Sequence, residues 1–91
     1  MTERIYYGGI SKDERIGSVF SQRLDHIMVE QRVASKLLAD RVGLSQAAVH
    51  RYRLGEHSPS VVCAVKIAQV LGVSMDWLCG LEGDIHDYDV G

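Results

Sequence analysis

The stretch LLADRVGLSQAAVHRYRLGEHSPS, residues 37–60, decides the fold that this sequence predicts. Leu38, Ala39 and Val42 follow the period of an amphipathic helix, and Gly43 then interrupts the pattern. A glycine just past a helical run can adopt the left-handed backbone that closes the last turn. The stretch therefore predicts a short helix over residues 35–42, followed by a tight turn into a second helix.

The second helix is predicted over residues 46–54. Ser45 precedes it, and its hydroxyl can accept a hydrogen bond from an otherwise unpaired amide of the first turn. Val49 and Tyr52 are expected to face inward, because they share one side of the helix. The positions left for other directions carry small polar and basic groups: Gln46, Ala47, His50, Arg51 and Arg53. This is how a protein presents a helix to a DNA groove.

From Arg23 to Gly80 the chain resembles the repressor-type helix-turn-helix domains related to the lambda repressor and Cro, the Xre family. The matching positions are Leu38, Ala39, Gly43, Ser45, Gln46, Val49, Arg51, Tyr52, Gly55 and Pro59. KIAQVLGVSMDWLCG, residues 66–80, is similar to the fourth and fifth helices of that family. The resemblance implies an all-α fold: a compact five-helix lambda-repressor-like DNA-binding domain with a helix-turn-helix.

Three positions depart from the family pattern. Ser35 stands where the family usually has a glutamine that contacts a phosphate. Met28 and Arg53 stand where the family commonly pairs an arginine of the first helix with a glutamate of the recognition helix. Because a lone buried charge would be costly, we interpret this as a coherent replacement. Arg53 is then expected either to pair with Glu30 or to reach a phosphate.

The resemblance also assigns the DNA contacts. It places Gln46, Ala47 and Arg51 towards the groove, where glutamine can pair with adenine, arginine with guanine and an alanine methyl with the thymine methyl. Three alternatives remain open for His50: it contacts a base, it contacts a phosphate, or it faces solvent. The predicted base contacts are Gln46, Ala47, His50 and Arg51. The predicted phosphate contacts, which set register, are Ser35, Lys36, Ser45, Arg53 and His57.

Charge is unevenly distributed along the chain. The net charge is −2, yet residues 32–58 carry five Lys or Arg against two acids, whereas residues 75–91 carry five acids and no base. Electrostatic attraction to a partner depends on the charges within about 8 to 10 Å of it. The small net charge therefore does not reveal that one part of the chain is basic and another is acidic. The basic end is expected to face double-stranded DNA.

Start and stop signals predict the remaining organisation. Residues 1–15 are interpreted as an N-terminal extension that is in part helical, 16–80 as the helix-turn-helix domain and 81–91 as an acidic C-terminal tail. The capping box at Ser11 starts helix one near Lys12, and the helix runs to Gln31 unless Gly17 delays its start to Ser18. Its inner face is predicted to carry Ile16, Phe20, Leu24, Ile27 and Met28. Two further helices are predicted over residues 60–71 and 75–79.

Length and residue usage argue against catalysis. At 91 residues, one small domain with no separate catalytic module is expected. The four histidines share no acid-base or metal spacing, and Cys63 and Cys79 are expected to be reduced core residues. We therefore expect no enzyme, no cofactor and no metal. No apolar run could span a bilayer and the start is too polar for a signal peptide, which predicts a cytoplasmic protein without a membrane partner.

The expected assembly is a homodimer on two half-sites about 34 Å apart. Apolar side chains in the two terminal segments either are scattered or pack across the two-fold axis: Ile5, Tyr6, Tyr7, Ile10, Ile85, Tyr88 and Val90. The alternative to a repressor of phage or bacterial type is a protein that acts through a protein partner, as an antitoxin, adaptor or phage-encoded regulator.

Overall fold

A computed structural model of the chain describes residues 14–81, and side chains from residue 19 onward. Five helices follow one another: α1 (Glu14–Gln31), α2 (Ser35–Val42), α3 (Gln46–Leu54), α4 (Val61–Leu71) and α5 (Met75–Leu78). No strand occurs within residues 14–81, and this confirms the all-α prediction. No helix in this part of the chain is long and apolar enough to cross a membrane.

The helix ends lie where local chemistry predicts them. The bounds of α2 and α3 are those predicted, whereas Ser60 and Cys79 flank their helices as caps instead of belonging to them. The hydroxyls of Ser45, Ser60 and Ser74 accept backbone N–H bonds of 3.0 to 3.1 Å at the starts of α3, α4 and α5. Each such cap stabilises its helix by about 1 kcal/mol.

The first helix is continuous through Gly17 from Glu14, so a break or a late start there is wrong. The predicted start near Lys12, the side chain of Ile16 and the terminal residues 1–13 and 82–91 lie outside the described residues. Arg32 closes α1 with a left-handed φ of 60°, which the sequence did not predict. At the same helix end, Nε2 of Gln31 donates a 2.7 Å hydrogen bond to the carbonyl of Leu71 at the end of α4.

One core joins all five helices. The predicted inward residues of α1 from residue 20 onward are buried, and Met28 is fully enclosed. The full set of buried apolar side chains is Phe20, Leu24, Ile27, Met28, Leu38, Ala39, Val42, Val49, Ala64, Ile67, Ala68, Leu71, Val73 and Leu78. Because a methionine fills the position of the family's usual arginine, that position contributes packing to the core instead of a charge.

The short α5 closes the core under α1. Leu78 is fully buried and Trp77 packs at the edge, where the guanidinium of Arg23 lies 5.1 Å from its ring centroid. Nη1 of Arg23 also donates a 2.7 Å hydrogen bond to the carbonyl of Trp77. Cys63 and Cys79 are free thiols, but both are half-buried and only Cys79 packs against the core.

Candidate nucleic-acid interface

The turn between α2 and α3 sets the angle at which α3 leaves the core. Gly43 has a left-handed φ of 78°, and its N–H and that of Leu44 both donate to the carbonyl of Ala39 at 2.9 Å. Leu44 then packs against the core, and the Ser45 hydroxyl accepts from the N–H of Ala48 at 3.0 Å. The turn is therefore held by backbone bonds, a buried leucine and a cap.

The four residues predicted to contact bases lie together on the outer face of α3. Gln46, Ala47, His50 and Arg51 are all exposed, and the spacing of 46, 47, 50 and 51 keeps them on one side of the helix. Val49, on the opposite side, is fully buried. The structure thus brings the predicted set onto a single solvent-facing surface.

The inward side of α3 is completed by Tyr52, which is half-buried and packs against the core. Burial raises the pKa of the Tyr52 hydroxyl above its ordinary value of 10.0, and the nearby Cys63 thiol raises it further. Both effects follow from the packing of the ring against the core. Tyr52 therefore holds α3 against the core, and Gln46, Ala47, His50 and Arg51 form its outer face.

Arg51 is exposed on the outer face of α3. Within the part of the chain that the structure describes, no carboxylate pairs with Arg51, Arg41 or Arg32. Lys36 differs, because its Nζ lies 3.8 Å from Asp40 in an exposed i, i+4 pair. Such a pair contributes a few tenths of a kcal/mol, so a phosphate can replace Asp40 at little cost.

Arg53 has a partner that sequence reasoning missed. Its Nε and Nη2 each lie 2.8 Å from Oδ1 of Asp25 on α1, and its Nη1 donates to the Ser35 hydroxyl at 3.0 Å. The expected pair with Glu30 is wrong, since Glu30 lies beside His26 at 3.6 Å. Asp25 precedes Met28 by three positions, so the two residues are neighbours on the surface of α1. This spacing could have identified Asp25 as the partner of Arg53.

The remaining phosphate candidates differ in what their side chains do. Ser35 is buried at the start of α2, and its hydroxyl holds Arg53. Ser45 is exposed and its hydroxyl, which accepts one bond, keeps a proton to donate. His57 is exposed in the loop after α3. Among the described residues, no cluster of His, Cys, Asp or Glu could hold a metal ion.

Comparison with known proteins adds a family and several relatives. The family model described as Helix-turn-helix matches residues 30–78, more than half of the chain. The chain is 28% identical over 69 residues to YqaE, an uncharacterized HTH-type transcriptional regulator of Bacillus subtilis, and this covers 76% of the chain and 58% of YqaE. No solved structure matches.

Two further relatives carry similar descriptions. An uncharacterized HTH-type transcriptional regulator of Haemophilus influenzae is 36% identical over 59 residues, which cover 65% of this chain and 24% of that protein. The cryptic phage CTXphi transcriptional repressor RstR of Vibrio cholerae is 42% identical over 43 residues, which cover 47% of this chain and 38% of the repressor. The chain therefore spans less than two thirds of each of these relatives.

Proposed function

This chain belongs to the helix-turn-helix family of DNA-binding transcriptional regulators, and we propose that it is a sequence-specific repressor that inserts α3 into the major groove. The observation that carries the proposal is the outer face of α3, where four exposed side chains stand opposite a fully buried valine. An α-helix fits the major groove, and side chains on its outer face reach the base edges. The repressor name of one relative supports the sign of regulation.

Each residue of that face has a chemical role in the proposal. Arg51, which lacks a carboxylate partner among the described residues, pairs with the O6 and N7 atoms of a guanine. Gln46 pairs with an adenine, and the Ala47 methyl contacts the methyl group of a thymine. His50, on the same face, contacts a base beside them.

Around this face, three residues are proposed to bind phosphates. Lys36 can exchange its weak pair with Asp40 for a phosphate, and Ser45 can donate its hydroxyl proton. His57, exposed after α3, supplies a third contact. These contacts set the register of the protein on DNA without reading sequence.

Ser35 and Arg53 take a different role in the proposal from the phosphate contact first expected of them. Because the two side chains are bonded to each other and Arg53 to Asp25, breaking these bonds to reach a phosphate would leave polar groups half-buried and unpaired. We therefore assign both residues to holding α3 in place.

Two copies are proposed to bind two half-sites, because one such module buries too little surface for high specificity. Selection of bound sequences from a random DNA pool tests DNA binding and symmetry together. We expect an inverted repeat with half-sites about 10 base pairs apart, and an affinity that falls steeply with salt. Arg51→Ala, carried through the same selection, is expected to lose one conserved base pair in each half-site. A pool that shows no enrichment for the wild-type chain would overturn the proposal.

A further inference from the structure

The acidic tail, residues 81–91, has the opposite charge to the surface proposed to contact DNA. It holds four carboxylates and no Lys or Arg: Glu82, Asp84, Asp87 and Asp89. Residues 32–58, which include α2 and α3, carry five Lys or Arg against two acids. Among the described residues, Arg51 has no carboxylate partner and Lys36 has only its weak pair with Asp40. A segment and a surface of opposite charge in one chain attract each other.

We propose that the acidic tail docks on the surface formed by Lys36, Arg51 and Leu54, and that DNA must displace it. The tail is then an autoinhibitory segment, whose carboxylates bind the same cations that DNA would bind. The inference rests on the proposed function, because competition requires that DNA contacts these side chains. The three residues are called the docking surface below.

Two glycines show that the tail begins close to the end of α3. A Cβ added at Gly80 would lie 2.7 Å from Cγ1 of Val19, and one added at Gly55 would lie 3.1 Å from Oγ of Ser21. Gly80 directly precedes the tail, and Gly55 caps α3. Val19 and Ser21 belong to one turn of α1, whose diameter with side chains is about 10 to 12 Å. The tail therefore starts no more than roughly 20 Å from the end of α3.

The tail is long enough to reach both cations of the docking surface. An extended chain advances about 3.3 Å per residue, so Asp89 can lie up to roughly 30 Å from Gly80. The end of α3 is within that range, and Arg51 lies in its last turn. A 3.0 Å hydrogen bond between side chains joins the end of α3 to the start of α2, where Lys36 lies. Both cations are therefore within reach of the tail carboxylates.

Apolar residues stand among the acids of the tail, and the docking surface has an apolar member. Three apolar residues are each directly beside an acid: Ile85, Tyr88 and Val90. Leu54 is 57% exposed and lies three residues after Arg51, so the two side chains are neighbours on α3. A tail carboxylate at Arg51 therefore brings an apolar tail residue close to Leu54. The exposed side of α4 fits the tail less well, because its valines are accompanied by one cation, Lys66.

Tethering sets the expected strength of docking. A segment joined to its surface by a few residues meets it at an effective concentration of the order of millimolar, so contacts too weak to join separate molecules are sufficient. A tail docked in about two thirds to nine tenths of the molecules lowers the apparent DNA affinity about three- to ten-fold. Because the docked tail excludes every DNA sequence equally, it lowers affinity without changing base preference.

Cross-linking with a carbodiimide tests the docked tail without DNA. The reagent joins a carboxylate to a lysine amine as an amide, with loss of water. Lys36 on the docking surface and Lys66 on α4 are both exposed, so Lys66 is the matched control. We expect mass spectrometry to find tail acids joined to Lys36 at low salt, in excess over Lys66, and this link to be lost at high salt. Mixing unlabelled and isotope-labelled chains separates links within one chain from links between two.

A second measurement tests competition with DNA. The full chain with all four tail acids changed to amides should bind the selected DNA about three- to ten-fold more tightly at low salt, with unchanged base preference. The gain should shrink as salt rises. Asp87→Asn alone should increase affinity more than its control Asp76→Asn, which removes an exposed acid of α5 outside the tail. Trp77 fluorescence during urea unfolding confirms that each variant is folded.

Three outcomes overturn the proposal. Links to Lys66 in place of Lys36 would put the tail on α4, and the absence of links to either lysine would show that the tail does not dock on the proposed surface. Links to Lys36 with unchanged DNA affinity in the amide variant would show that the docked tail does not compete with DNA. Failure of the proposed function is distinguishable, because links to Lys36 in a chain that binds no DNA would remove that function and leave the docked tail.

Discussion

The guanidinium of Arg53 on α3 binds the carboxylate of Asp25 on α1, with Nε and Nη2 each 2.8 Å from Oδ1. Its third nitrogen reaches the Ser35 hydroxyl at the start of α2. Compared with the family's usual pair, the charges are exchanged between the helices, and the acid lies one turn before Met28. One side chain thus ties together α1, α2 and α3, the helices that position the surface proposed to contact DNA.

This network should show as a coupling energy in a double-mutant cycle of Asp25→Ala and Arg53→Ala. We expect Arg53→Ala to destabilise the fold by about 1 to 2 kcal/mol, because Asp25 and Ser35 both lose a partner. The coupling between Asp25 and Arg53 should be about 0.5 to 1 kcal/mol, since the arginine is mostly buried but the aspartate is half exposed. Urea unfolding followed by the fluorescence of Trp77, the single tryptophan, provides the measurement.

The matched control for that cycle is the exposed pair of Lys36 and Asp40, whose nearest charged atoms are 3.8 Å apart. Its coupling should not exceed about 0.5 kcal/mol, as for other exposed i, i+4 pairs. Equal couplings in the two cycles would contradict a special structural role for Arg53.

Local signals made the helix-turn-helix predictable. Gly43 acts through its own backbone and Ser45 caps the backbone of the next turn, so the end of α2 and the start of α3 follow from local residue identity. The buried side of α3 follows from the helical period in the same way. These features need no knowledge of how distant parts of the chain pack.

Features that depend on packing between helices were missed. Asp25 meets Arg53 because of how α1 is rotated against α3, and Glu30 was an equally reasonable partner along the sequence. The exposed valines of α4 are similar, because the sequence of α4 is apolar around most of the helix and only the packed structure shows that Val61, Val62, Val65 and Val70 remain exposed. Periodicity identifies a buried side only when the opposite side is polar.

Arg51 provides the sharpest test of the proposal that the outer face of α3 contacts DNA bases. Arg51→Ala should weaken binding to the selected DNA site by about 1 to 3 kcal/mol and remove the preference at one base pair. Arg41→Ala is the matched control, since Arg41 is also exposed and without a carboxylate partner among the described residues but lies on α2. It should leave the base preference unchanged. Titrations against the selected site and its single-base variants measure both effects, and an unchanged preference in Arg51→Ala would show that α3 does not read bases through this residue.

Arg32 holds backbone strain that a glycine would relieve. Its φ of 60° costs an ordinary residue about 1 to 2 kcal/mol. Glycine removes this cost but gives the unfolded chain more freedom, so Arg32→Gly should stabilise the fold by about 0.5 to 1 kcal/mol. Gly43→Ala makes the opposite kind of substitution, because it adds a Cβ at another left-handed position. Here φ is 78°, and the added Cβ would meet no atom within 4 Å. It should cost about 1 kcal/mol through backbone conformation alone. A destabilised Arg32→Gly in urea unfolding would show that the arginine side chain contributes more than its strain costs.

Alkaline pH should destabilise the fold through two half-buried groups. Burial raises the pKa of the Cys79 thiol above its ordinary value of 9.0, and the charge of Asp76 adds to this. Burial likewise raises the pKa of Tyr52 above 10.0, with a further contribution from Cys63. The folded chain therefore keeps both protons at a pH where the unfolded chain has begun to lose them.

The stability that these protonated groups contribute is fully present below the unfolded pKa values and is lost as pH rises through the folded ones. The free energy of unfolding should therefore fall as pH rises above about 9 for Cys79, and more steeply above about 10 once Tyr52 also titrates. Urea unfolding across this range, on the wild-type chain and on Cys79→Ala and Tyr52→Phe, separates the two contributions. Cys79→Ala should reduce the fall in the free energy of unfolding above about pH 9, and Tyr52→Phe should reduce the further fall above about pH 10. The two substitutions together should remove most of the pH dependence in this range. A wild-type slope that both variants keep would mean that other groups control the alkaline stability.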